Sequence, residues 1–309
     1  MGWDSFHIFY HDQGRWDQFL IYIYKQLKTI YNHKIPSLFF IRYWDGGPHI
    51  RLRIKDMEEF EKNKLVNSIY YFFDKFPSEK EFKKNEFYKQ YNMLTINQED
   101  LLWFPNHSIQ EIPYTPEIDR YNGEKMMQLS ELQFEFSSRY VFEFLESTVP
   151  DLQRKYNHGL YLLSFMTRSM NLSEQQEIDF LRSYCIATLQ SYVPEDIERY
   201  LKAYQLKLQE SNLSNAVKEY WSENSNLIIN QYTSFTNEII KSVRHDEFSF
   251  NEIRINSLEK LDVYSKAKIQ LYWSWIHMFL NRIGLSPLTE AELTFLLSHS
   301  LNTYKGVKK

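Results

Sequence analysis

Apolar and polar positions alternate along this chain with two periods. In FFIRYWDGGPHIRLRI, residues 39 to 54, the period is two. Phe39, Ile41 and Tyr43 alternate with Phe40 and Arg42; after a break, Ile50, Leu52 and Ile54 alternate with His49, Arg51 and Arg53. The intervening Asp45-Gly46-Gly47-Pro48 supplies glycine for positive φ and proline for a fixed φ after the bend. The pattern predicts a β-hairpin. Its Ile50, Leu52 and Ile54 side chains face a core, and His49, Arg51 and Arg53 form a cationic row on the other face.

Elsewhere the period is mostly 3.6. Residues 5–10 read as a short strand, an exposed edge able to capture an extended peptide. Residues 15–33 and 57–76 read as helices, while EFYKQYNM (86–93) and SIQEIPY (108–114) are candidate strands in a less regular stretch. From residue 124 onward helical runs follow one another with short polar breaks, and no fixed repeat or low-complexity linker occurs. The reading is an α+β fold in a single domain over 1–309. Its 1–123 part holds the antiparallel hairpin or sheet with helices, and its 124–309 part is mainly helical.

Helix punctuation places the candidate chemistry. YTPEIDRYNG reads as a short helix with Thr115 as N-cap, Pro116 at the first position and Gly123 at the close. Glu117 and Arg120, three apart, then share a face, where an ordinary surface ion pair is worth a few tenths of a kcal/mol. Near the end, YWSWIHMFLNRIG is a helix stopped by Gly284, followed by a capping box of Thr289 with Glu292. His277 has Trp273 and Asn281 one turn to either side. A packed core histidine and a proton-transfer group both fit that setting.

Composition excludes several classes. The net charge of −4 offers no basic field for nucleic acid. The single cysteine, Cys185, cannot form an internal disulfide, sits in a helical apolar pattern as a packed thiol, and suits a reducing cytosol. The longest apolar run, residues 271–280, is too short to span a bilayer, and no basic-then-apolar leader opens the chain. No phosphate-cradling glycine loop, CxxC, HExxH or GxSxG elbow occurs, so neither a metal nor a cofactor is expected. Aromatic residues make up 17% of the chain, enough to supply an apolar homodimer interface.

Three blocks, FFIRYWDGGPHIRLRI, YTPEIDRYNGEKMM and IHMFLNRIG, resemble signature blocks of the C-terminal, glutamate-eliminating domain of lanthipeptide dehydratases. That domain also occurs as a separate protein in thiopeptide biosynthesis clusters. The resemblance covers essentially the whole chain, with one departure: Asn122-Gly123 stands where the family usually has Gly-Gly. Asparagine tolerates the left-handed backbone region, so a local cap change is all that is expected.

The resemblance implies a reaction. A separate glutamyl-tRNA-dependent enzyme esterifies Ser or Thr of a ribosomal precursor peptide with glutamate. The eliminating domain, a lyase, then removes the α-proton and expels glutamate, leaving dehydroalanine or dehydrobutyrine. It implies Arg51 and Arg53 as the grip on glutamate and its developing charge, Arg120 held by Glu117 as a second anchor, and His277 for proton transfer. Arg42, His49 and Asn281, on the same elements, are assigned to substrate binding. Guanidinium groups suit this role because they pair with carboxylates bidentately and keep their charge. Two other readings stand beside it. One is a thiopeptide pyridine synthase, which joins two dehydroalanines by aza-[4+2] cycloaddition and expels the leader; the other is a non-catalytic module that binds the precursor peptide.

Overall fold

The computed structural model describes residues 2–78, 81–89, 101–147, 151–210, 226–242 and 261–307. The alternating hairpin forms as its pattern predicts, with β2 Leu38–Tyr43 and β3 His49–Lys55 antiparallel. Gly46 and Gly47 take φ of 89° and 108°, a region an L side chain rarely adopts. The Gly46 N–H donates to the Tyr88 hydroxyl at 2.8 Å, and that hydroxyl donates to the Leu102 carbonyl at 2.8 Å, so the hairpin tip is held from outside.

β1, Trp3–Phe9, pairs with β3 on one side and with β4, Ser108–Glu111, on the other, giving the order β2-β3-β1-β4. The expectation that β1 is an exposed edge is therefore corrected: the edges are β2 and β4. Register fixes the two faces. Phe6, Leu52 and Phe40 are cross-strand neighbours on the core face, with Ile8, Ile50, Ile54 and Leu38 beside them, all buried.

The chain divides into two units, residues 1–116 with 134–150 and residues 117–133 with 151–309. In the first, α1 Trp16–Ile30 buries Phe19, Leu20, Ile23 and Leu27, and α2 Glu59–Lys75 buries Leu65, Ile69, Phe72 and Phe73. Tyr10 meets Phe19, Phe72 and Phe73, which joins these helices to the end of β1. A short α3, Lys84–Lys89, occupies the start of the expected strand at 86–93; the rest of that stretch lies outside the described residues. In α4, Glu124–Ser147, residues 134–147 belong to this unit. Its Ser138 Oγ accepts the Phe40 N–H at 3.1 Å, satisfying an edge donor of β2, and its Phe142 stacks on Tyr24.

The second unit contains residues 124–133 of α4, then α5 Leu152–Ser169, α6 Glu174–Tyr192, α7 Ile197–Glu210, α8 Asn226–Ser242, α9 Val263–Ile283 and α10 Pro287–Val307. Cys185 is buried in α6 beside Leu189, and burial pushes its thiol up to about 12. Gly159 of α5 lets that helix approach closely, since a Cβ there would lie 2.5 Å from Leu285. α9 starts at its Asp262 N-cap and ends at Gly284, φ 94°. The cap of α10 differs from expectation. Ser286 Oγ accepts the Thr289 N–H at 3.2 Å and Pro287 begins the helix, while Glu292 pairs with Tyr156 and Lys207 instead of closing a box. No helix among the described residues is long and apolar enough to cross a membrane.

Candidate active site

In the first unit, the second sheet face carries Ser5, His7 and Phe9 from β1 opposite Arg53, Arg51 and His49 of β3. This face is more enclosed than a solvated one, since Ser5, His7, Phe9 and His49 are all buried. Arg51 lies 3.5 Å from the Tyr43 ring centroid, and its Nε donates to His49 Nε2 at 3.1 Å. Because the guanidinium can only donate, His49 Nε2 must be the acceptor. Nδ1 then carries the hydrogen bonded to the Gly47 carbonyl at 2.7 Å. Arg53 lies over Tyr114 at 4.6 Å and Phe39 at 5.2 Å. Both guanidinium groups thereby lie against aromatic rings.

The expected cationic row is in fact two arginines and neutral histidines. Burial, opposed by the Gly47 hydrogen bond and aided by Arg51, His7 and Arg53, holds His49 well below its ordinary 6.5. Burial and the two arginines bring His7 to about 3. Arg42 does not join this face. Its cross-strand partner is Ile50, so it points to the core side, where it pairs with Asp17 of α1 at 2.7 Å with little exposure.

In the second unit, the segment from Glu117 to Gly123 is a turn, not the short helix expected. Tyr121 N–H bonds the Glu117 carbonyl, Gly123 N–H bonds the Ile118 carbonyl, and Asn122 and Gly123 both have positive φ, which stops the helix after one turn. Glu117 and Arg120 form the anticipated pair at 2.8 Å, about half exposed. The turn docks along one face of α9. Asn122 accepts from Gln270 at 3.3 Å, and the Tyr121 phenol, hydrogen-bonded with Ser274, is pushed up to about 12, chiefly by burial. One turn further along that face is His277.

His277 Nδ1 lies 2.9 Å from Glu290 Oε2 in the first turn of α10. Glu290 is buried, whereas 28% of the His277 side chain is exposed. A carboxylate can only accept, so Nδ1 carries the shared hydrogen and Nε2 is the atom that can exchange a proton. Burial lowers the His277 pKa, but the charge of Glu290 and its hydrogen bond more than offset this, against the opposing fields of Arg120 and Arg282. The net shift is upward from 6.5. Trp273 packs on Tyr184 at 4.6 Å, and Asn281 lends its carbonyl to the Gly284 N–H. Glu290, Tyr184 and Tyr121 were not identified from sequence.

The structure thus brings His277, Arg120 and Glu117 together in one unit, and Arg51, Arg53 and His49 together in the other. Residues 3–301 match the family model described as lantibiotic biosynthesis dehydratase C-term, and the chain belongs to that family. A search of curated proteins gave no match. Among solved structures, the chain is similar to the pyridine synthase TbtD from thiomuracin biosynthesis, with TM-score 0.76 and 16% identity over 99% of this chain and 100% of that one. It is also similar to TsrL, with TM-score 0.64 and 13% identity over 98% and 95%. The tRNA-dependent lantibiotic dehydratase MibB from Microbispora sp. 107891 gives TM-score 0.55 and 15% identity over the whole of this chain and 29% of that one. At these identities the likeness is one of fold.

Proposed function

We propose that this chain eliminates glutamate from glutamylated Ser or Thr residues of a ribosomal precursor peptide. The observation that carries the reading is the His277–Glu290 pair, which leaves Nε2 of a partly exposed imidazole as the proton-transferring atom. In the reaction, a base takes the α-proton, the carbon–hydrogen electron pair forms the new double bond, and the Cβ–O bond breaks to release glutamate as its carboxylate. A carbon acid adjacent to an amide carbonyl is weak, so a histidine with raised proton affinity is a better acceptor for its proton. Arg120, held by Glu117, and Arg51 and Arg53, each against an aromatic ring, are assigned to the substrate's anionic groups. Membership in the dehydratase family supports an enzymatic role in peptide maturation.

The reading requires a separate enzyme that makes the glutamyl ester, and it places the chain with its peptide substrate in the cytosol. A second reading, pyridine synthesis by cycloaddition of two dehydroalanines, is favoured by the likeness to TbtD over the full length of both chains. Mass spectrometry of a purified glutamylated precursor after incubation with this protein alone tests the proposal. Loss of glutamate with gain of an alkene supports it, and an unchanged glutamylated peptide rejects it.

A further inference from the structure

Glu290 Oε2 accepts two hydrogen bonds at once, from His277 Nδ1 at 2.9 Å and from the Tyr184 hydroxyl of α6 at 2.9 Å. Tyr184 is fully enclosed, with the Trp273 ring tilted against it at 4.6 Å and Phe180 edge-on to Trp273. Burial first, then the charge of Glu290, raises the Tyr184 phenol well above its ordinary value, so it stays a permanent donor. The other carboxylate oxygen, Oε1, is buried without a hydrogen-bond partner. Two donors on one oxygen divide its acceptor strength, and each weakens the other's bond.

We propose that Tyr184 is a positioning residue that sets the proton affinity of His277 through their shared partner, Glu290 Oε2. The inference rests on the elimination reading only for its consequence on rate, because the titration itself is independent of the reaction. The other groups acting on His277 are Arg120 from the Glu117–Gly123 turn, itself paired with Glu117, and Arg282 from α9. Both oppose the imidazolium, and Arg120 acts on the Tyr184 phenol as well. Removing that hydroxyl leaves Glu290 to His277 alone, which strengthens the imidazolium–carboxylate pair.

The test is an NMR titration of the His277 ring in the full chain, assigned by its loss in His277→Asn. Tyr184→Phe is expected to raise the His277 pKa by roughly half a unit to one unit. Glu290→Gln is expected to drop it below 6.5, since only burial and the two arginines then act. Fluorotyrosine at position 184, a stronger donor of nearly the same shape, is expected to lower it by a smaller amount. That variant decides the matter if Tyr184→Phe does not fold. A His277 pKa that stays put or falls in Tyr184→Phe, or stays put or rises with fluorotyrosine, overturns the proposal. Where elimination is present, its pH profile should move with the titration. If the wild type eliminates nothing at any pH, the proposed function fails while the titration still decides this inference.

Discussion

Arg51 Nε donates to His49 Nε2 across 3.1 Å on one face of β3, and this contact fixes both the direction of the arginine and the charge of the histidine. An arginine that can only donate requires an unprotonated acceptor. His49 is therefore a neutral acceptor for Arg51 and not a further cation on that face.

Acid should destabilise the first unit early. Burial, with help from neighbouring charges, holds His7 at about 3 and His11, buried two residues beyond the end of β1, at about 4, and holds His49 well below 6.5. These folded values lie below the unfolded one, so the unfolded chain binds more protons as pH falls through 6.5. Stability is then lost on acidification, by up to about 1.4 kcal/mol per pH unit for each such histidine. Denaturant unfolding at pH 7 and pH 5 checks this. Ring signals of His7 and His49 that titrate near 6.5 would contradict the account of the face.

Arg51→Ala and Arg53→Ala should each leave a folded protein. Each loses a stacking contact worth about 0.5–1 kcal/mol, while the Ile50, Leu52 and Ile54 face stays intact. Glutamylated peptide should accumulate in both variants. Melting curves that collapse in both would make these arginines structural and remove them from the site.

The sequence revealed what local periodicity controls and concealed what long-range pairing controls. The hairpin, its apolar face and the Gly284 stop follow from alternation and from glycine's positive φ. Arg42 is on the opposite face from Arg51 because register across the turn pairs it with Ile50, a fact that residue type does not disclose. β1 is interior because a distant segment, Ser108–Glu111, pairs with its free side. The Thr115–Gly123 stretch carries helix signals but contains two consecutive positive-φ residues, Asn122 and Gly123, which leave room for only one turn. Glu290 carries a signal in the sequence. It and His277 lie at nearly equal distances from Gly284, and the short link between α9 and α10 brings such positions together.

His277→Asn should reduce elimination by about 10²–10⁴ with peptide binding largely retained, the usual cost of losing a general base. Glu290→Gln should lower stability as well as activity. The His277 pKa is raised in the folded state, so the pair's stabilisation is fully present below about pH 6.5 and declines as pH rises through the folded value. Melting of Glu290→Gln against wild type should therefore differ more at pH 6 than at pH 9. An equal difference at both pH values would mean that the pair is not coupled to protonation.

A two-substrate competition decides whether the His277 site performs elimination. Wild-type protein is given one precursor carrying a glutamylated serine and another carrying two dehydroalanines, with both followed by mass spectrometry. Elimination predicts free glutamate and new dehydroalanine in equal amounts from the first, with the second unchanged and its leader attached, and the same products formed about 10²–10⁴ more slowly by His277→Asn. Ring formation with release of the leader from the second precursor, and no loss of glutamate from the first, would contradict the account.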